Sequence, residues 1–279
     1  MNATSKLALY GLAMLAVFGG SYGVGNAAEP LGLSTAEPVE HEGAMADEGA
    51  GLPGPASSAE GFTLETSTDT IAAGTPAPYS FTITGEDGVV TDFELEHTKP
   101  MHLIVVRRDF VGFIHDHPTM AADGTWSTTL TIDQPGAYRV FADFVVDGDK
   151  QTLGADLFAA GDFQPVPLPA PSATSDAGGG YEVSLSGDVI AGEESELLFT
   201  VRRHGEIVTD IPDYLGAKGH LVALRDGDLA YLHVHADEDR LVFEADFPTA
   251  GEYRLFLQFD HGGEIRTVAF TVNAQESNQ

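Results

Sequence analysis

The sequence predicts an all-β protein made of two tandem antiparallel β-sandwiches behind an N-terminal targeting segment. Three observations carry this expectation. Val, Thr, Phe and Tyr recur in short runs broken by Gly, Pro and Asp, which is the pattern of strands and turns. No window sustains a helical period. One unit, spanning 61–164, recurs at 180–274.

The elements follow in order. In segment 1–28, Lys6 is the only charge before an apolar run from Leu7 to Gly25. Small residues at Gly25-Asn26-Ala27-Ala28 offer a signal-peptide cleavage site. Alternatively the run stays as a single membrane anchor, just long enough at ~1.5 Å per residue to cross a ~30 Å hydrocarbon layer. Either outcome places the rest outside the cytosol, secreted or anchored to the outer face of the membrane. Segment 29–60 is mostly Ala, Gly, Glu, Pro and Ser, so it reads as a disordered spacer. It holds His41 and Met45, which read as incidental linker residues. The first repeat, 61–164, and the second, 180–274, are joined by a Pro-rich and then Gly-rich linker, 165–179.

The repeats align along much of their length. Phe81-Thr82-Ile83 matches Phe199-Thr200-Val201, and Tyr138-Arg139-Val140-Phe141 matches Tyr253-Arg254-Leu255-Phe256. Each copy reads as seven or eight short strands, the layout of an immunoglobulin-like or cupredoxin-like sandwich. Phe81, Phe141 and Phe144 are the expected core of the first copy; Phe199, Leu255, Leu257 and Phe259 are that of the second.

Composition narrows the chemistry. A formal charge of −30 argues against nucleic acid or anionic membrane as a partner. The chain has no cysteine, which excludes disulfides, thiolate catalysis, Cys-rich zinc sites and blue copper. A metal here must use nitrogen, oxygen or thioether donors.

One pattern points to such a metal. His102, His115 and His117 form an H-x12-H-x-H triplet, and His220, His233 and His235 repeat it. Imidazole is the commonest protein metal ligand. In the second copy Asp226-Gly227 is a favoured two-residue hairpin centre. That register sets His220 directly opposite His233, with His235 two residues on along the same face. The first copy, with Arg107-Arg108-Asp109-Phe110 at its turn, predicts a wider loop but the same convergence. Further candidates flank the sites: His97, Met101, Met120 and Asp143 in the first copy, His261 in the second. Thioethers favour Cu(I), so the expected ion is copper, with zinc as the other choice. His204 and His261 read by default as surface residues.

The run His97-Thr98-Lys99-Pro100-Met101-His102 through Asp109, followed by His115-Asp116-His117-Pro118, resembles bacterial extracytoplasmic heavy-metal-binding proteins of the YtkA-like kind. The resemblance implies a small immunoglobulin-like sandwich and a metal-binding role for His97, His102, His115 and His117. The second repeat departs from it, with Leu215 aligned to His97 and Ala236 to Pro118. The expected function is non-enzymatic metal binding by both repeats. The competing readings are a structural or adhesion module with packing histidines and a cupin-like metalloenzyme. Gly227 and His233-x-His235 match the start of the first cupin motif, but its later ligands are missing. A superoxide dismutase lacks its bridging ligands, and no hydrolase nucleophile motif is present.

Overall fold

The computed structural model describes residues 52–237 and 239–276. The expected leader, 1–28, lies outside the described residues, as do His41, Met45 and most of the expected spacer. The described residues fold as two β-sandwiches containing no helix.

The first repeat holds β1 (Ser58–Ala59), β2 (Phe62–Thr66), β3 (Thr70–Ala72), β4 (Ala77–Gly85), β5 (Gly88–Val89), β6 (His102–Arg107), β7 (Ile114–Asp116), β8 (Thr119–Met120), β9 (Trp126–Leu130), β10 (Gly136–Val146) and β11 (Asp149–Ala160). The second holds β12 (Thr174–Gly178), β13 (Tyr181–Ser186), β14 (Glu194–Arg203), β15 (Glu206–Ile207), β16 (His220–Arg225), β17 (Val234–Ala236), β18 (Val242–Asp246), β19 (Gly251–Asp260) and β20 (Ile265–Ala274). One sheet of the first repeat runs β1-β2-β4-β9-β8 and the other β3-β11-β10-β6-β7. The second repeat has β12-β13-β14-β18-β17 against β16-β19-β20. Pairing is antiparallel except where β3 joins β11 in parallel and at the isolated parallel bridge between Ile190 and Gln275.

Both expected boundaries move. Strand β12 lies inside the stretch expected to be linker and pairs with β13, so the second sandwich opens at Thr174. The end of the expected disordered spacer is also ordered. The Gly54 amide donates to Thr152 O (3.0 Å), the Gly154 amide to Ala56 O (2.8 Å) and the Tyr231 amide to Pro53 O (2.9 Å). The Arg139 guanidinium donates to Gly54 O and Pro55 O. These bonds satisfy backbone groups that composition alone would leave to water. They also need Gly154, because a Cβ there would lie 2.0 Å from Gly54 O.

Each sandwich has its own core. Phe81, Trp126, Tyr138, Phe144 and Leu153 fill the first; Phe199, Phe243, Leu255, Phe259 and Phe270 fill the second. Phe141 departs from expectation. It lies on the other face of β10, in a third apolar cluster with Ile104, Val106, Val222, Leu224, Tyr231 and Phe256. That cluster joins the repeats. The β6–β10 sheet and the β16–β19 sheet pack on each other, so β6 is buried along all six residues. An antiparallel sheet with one solvated face would alternate instead.

The contact is pseudo-two-fold. Phe113 stacks on Phe256 with ring centroids 4.1 Å apart, and the aligned pair Tyr231 and Phe141 meets at 5.6 Å. Each repeat thus offers the same patch to the other, as in a symmetric dimer. Burial of each large apolar side chain contributes ~1.5–3 kcal/mol, enough in aggregate to hold the two sheets together.

Candidate metal centre

The hairpin turn sets the register. In the first repeat the Phe110 amide bonds to Arg107 O (2.7 Å) and the Arg107 amide to Val111 O (3.0 Å), with Phe110 at φ 65°. The wider loop expected here is present. The Arg107 guanidinium closes it through a buried bidentate pair with Asp109 (2.6 and 2.9 Å). Ile104 then faces His115, and Leu103 faces Asp116. His102, Ile104 and His115 therefore share the face of the sheet that looks at the second repeat, and one more step along each strand brings His117 to His102.

The three rings converge as expected. His115 Nε2 lies 3.0 Å and His117 Nε2 lies 3.2 Å from His102 Nδ1. One ligand atom from each ring lies within 4.8 Å of the other two, and this is the one such group of His, Asp or Glu among the described residues. The other ring nitrogens set the tautomers. His102 donates its Nε2–H to Glu96 O (3.0 Å), and His115 donates its Nδ1–H to Gln258 Oε1 (2.8 Å). In the neutral rings His102 Nδ1 and His115 Nε2 then carry lone pairs, not protons. Two lone pairs at hydrogen-bond distance repel each other, and a cation shared between them would relieve that repulsion. Metal–imidazole bonds of ~2.0–2.1 Å in a tetrahedral arrangement hold nitrogens roughly 3.3 Å apart, close to the separations seen.

Charge state fits the same role. Burial, reinforced by His102 and His117, pushes the His115 ring down to about 3. Burial with His102 and Lys99 lowers His117 to about 4. Both rings are neutral near pH 7 and able to donate to a metal. Burial also tends to raise the Glu96 carboxyl, but the Lys150 ammonium, helped by His102 and His97, outweighs it and holds the group below its usual range.

The second triplet does not assemble. Its loop is closed one residue further on, with the Leu229 amide on Arg225 O and the Arg225 amide on Ala230 O (both 3.0 Å). The Asp226-Gly227 two-residue turn, with His220 opposite His233, is therefore corrected by two residues. The strand also leaves the hairpin after Leu232, whose amide bonds to Ala223 O. As β17 it joins β18 in the other sheet, pairing His235 with Glu244. His233 and His235 stay together, with centroids 4.3 Å apart, but both are exposed. His220 is 7% exposed and faces the first repeat, 4.8 Å from His97 between centroids.

The flanking candidates divide. Met101 is fully buried in the first core, on the face of the sheet opposite His102, and Met120 packs against that core. Neither thioether belongs to the triad. Asp143 stands beside His102 in the ladder but bonds Thr152 (2.7 Å) and Lys150 (3.4 Å). Its aligned partner Gln258 makes the ring contact instead, to the other repeat. His261 receives the Tyr181 hydroxyl (2.6 Å) and meets Asp210 on the surface (3.2 Å), away from the triad. His204 sits at φ 50° in an exposed turn. Gln258 and the Glu96 carbonyl are the site members that sequence reasoning missed; for Gln258 the available signal was its alignment with Asp143.

The fold and the triad together define a tandem β-sandwich protein with a three-imidazole group placed to chelate a metal ion. The profile described as Domain of unknown function (DUF8832) matches residues 57–160 and again 173–276, so the chain belongs to that family. No curated protein matches the chain. Solved structures similar to it include the Escherichia coli adhesin FdeC, at 14% identity over 79% of this chain and 65% of that one, with a TM-score of 0.27. The bacterial integrin-binding protein invasin matches at 15% over 77% and 39%, with a TM-score of 0.22. The Yersinia pseudotuberculosis adhesin InvE matches at 13% over 76% and 58%, with a TM-score of 0.25. The chain covers less than two thirds of each of these three.

Proposed function

We propose that this is an extracytoplasmic, non-catalytic binding protein for a transition-metal ion, copper before zinc, held by His102, His115 and His117. The observation that carries the reading is the pair of fixed tautomers. The Glu96 carbonyl and Gln258 each take one ring N–H, so the opposite nitrogens of His102 and His115 meet as donors. Ligating histidines are typically oriented in this way by a carbonyl or carboxylate behind them. With the methionines in the core, the preference for copper rests on donor type: nitrogen ligands bind Cu(II) more tightly than Zn(II) in the divalent series. The YtkA-like resemblance at His97–Pro118 and the apolar leader expected before the spacer support a metal-handling role outside the cytosol.

Calorimetric titration with Cu(II), Cu(I) and Zn(II) tests this. The tightest-bound ion is expected to be Cu(II), weakened at least ~100-fold in His115→Ala and His117→Ala and unchanged in His233→Ala. Equal uptake by wild type and His117→Ala would overturn the reading. Turnover of an oxidisable substrate by the copper-loaded protein would overturn the non-catalytic part.

A further inference from the structure

We infer a second ion site between the repeats, formed by His97 of the first and His220 of the second, suited to a borderline divalent ion such as Cu(II) or Zn(II). The inference rests on the triad reading only in that the same class of ion must reach the cavity.

His220 is oriented as His102 is. His102 gives its Nε2–H to the carbonyl of Glu96, and His220 gives its Nε2–H to the carbonyl of the aligned residue, Tyr214 (2.8 Å). Its Nδ1 is left as a donor, yet His233 and His235, the expected partners, are on a strand in the other sheet. Among the described residues no hydrogen bond uses His220 Nδ1 or either ring nitrogen of His97.

These two rings face each other instead. Their centroids lie 4.8 Å apart, matching the 4.8–5.3 Å spacing within the triad. His220 stands 6.3 Å from His102 and 6.1 Å from His115, and His97 stands 6.3 Å from His102. The pair therefore adjoins the triad without being part of it. His97 reaches across because it occupies a two-residue turn, closed by two Glu96–Lys99 backbone bonds of 2.9 Å, with φ 47° at His97 and 67° at Thr98. Left-handed backbone at a β-branched Thr is uncommon, and this turn sets His97 against the His220 ring.

A cavity of about 40 Å³ lies at this point, lined on its polar side by Glu96, His97, His102, Asp143, Lys150 and His220 and on the other by apolar side chains such as Leu221, Leu232 and Phe243. That volume holds an ion with water completing its shell. Glu96 Oε2 is buried without a partner and is available to accept from such a water. The carboxylates of Glu96 and Asp143 against the single Lys150 ammonium leave a net negative lining for a cation. An ion on His97 and His220 would bridge the repeats.

Equilibrium dialysis of the purified chain against Cu(II) alone, with bound copper counted by elemental analysis, tests this. Wild type is expected to bind two ions. His97→Ala, His220→Ala and His117→Ala are each expected to bind one. His97 makes no hydrogen bond and is partly exposed, so His97→Ala keeps the test valid if His220→Ala fails to fold. A wild type that binds one ion, lost in His117→Ala and kept in His97→Ala, overturns the second site and leaves the triad. One ion weakened by all three variants means a single shared centre and also overturns it. One ion lost only in His97→Ala and His220→Ala supports the inter-repeat site and overturns the triad.

Discussion

The two hairpins begin alike and end differently. Both have loops wider than a two-residue turn with a left-handed residue, Phe110 or Leu229, and both close on an Arg–Asp pair, Arg107 with Asp109 or Arg225 with Asp228. In the first, pairing to the return strand continues as far as Leu103 and Asp116. In the second the return strand crosses to the opposite sheet after Leu232, and Ala236 pairs with Phe243. At Ala236's aligned position the first repeat has Pro118, which has no N–H for a ladder and fits poorly inside a paired strand. Crossing is deferred to Thr119, which pairs with Ser127. His115 and His117 thus remain beside His102, while His233 and His235 are carried away from His220. Identical spacing produces a chelating group only where the return strand stays in the sheet.

The second repeat is still part of the site. The pseudo-two-fold contact that sets Phe113 on Phe256 also sets His115 against Gln258. The duplicated unit has diverged so that the first copy carries the imidazole triad and the second holds the acceptor behind His115.

Three measurements probe this division of labour. The largest effect is expected for Gln258→Leu, which removes the acceptor behind His115. Loss of such an outer partner typically weakens metal binding ~10–100-fold. A competition assay should show that fall without change in the far-UV circular dichroism, while His261→Ala matches wild type. Equal affinity in Gln258→Leu would mean that the second repeat does not orient the ligands. A smaller fall, roughly tenfold or about 1.4 kcal/mol, is expected for Pro118→Ala, which allows the first return strand to cross early. An unchanged affinity would remove Pro118 as the cause of the difference between the repeats.

The smallest effect concerns acid. In the folded, metal-free protein the His115 ring sits at about 3 and the His117 and His220 rings at about 4, against an ordinary 6.5. Between about pH 6.5 and pH 4 the unfolded chain takes up protons that the folded chain refuses. Stability must then fall as pH falls through that window. Thermal melts of the metal-free protein should show the midpoint dropping from pH 6.5 to 4. The slope should flatten in His115→Gln. A midpoint that rises on acidification would contradict neutral, buried rings.

Much of this architecture was legible in the chain. Turn residues and β-rich runs marked the sandwiches, and duplication of whole segments marked two of them. The first triplet was legible because twelve residues, an even number, lie between His102 and His115, so a hairpin returns the rings to one face. Two further signals were present in the chain. His102–Arg107 is apolar on both faces, which an exposed sheet would not need, and it announced the inter-repeat contact. Asp143 aligned with Gln258 held the orienting residue. The ordered stretch at 52–56 had no sequence signal, since its bonds are backbone to backbone and to Arg139.

Composition and spacing by themselves determined the strand content, the duplication, the absence of thiol chemistry and imidazole as the donor type. Each follows from local propensity or from a count. Only the tertiary structure decided which histidines meet, because that depends on where the return strand changes sheets and on which face is covered by the other repeat. Both are outcomes of long-range packing, and neither is encoded in the distance between two residues along the chain.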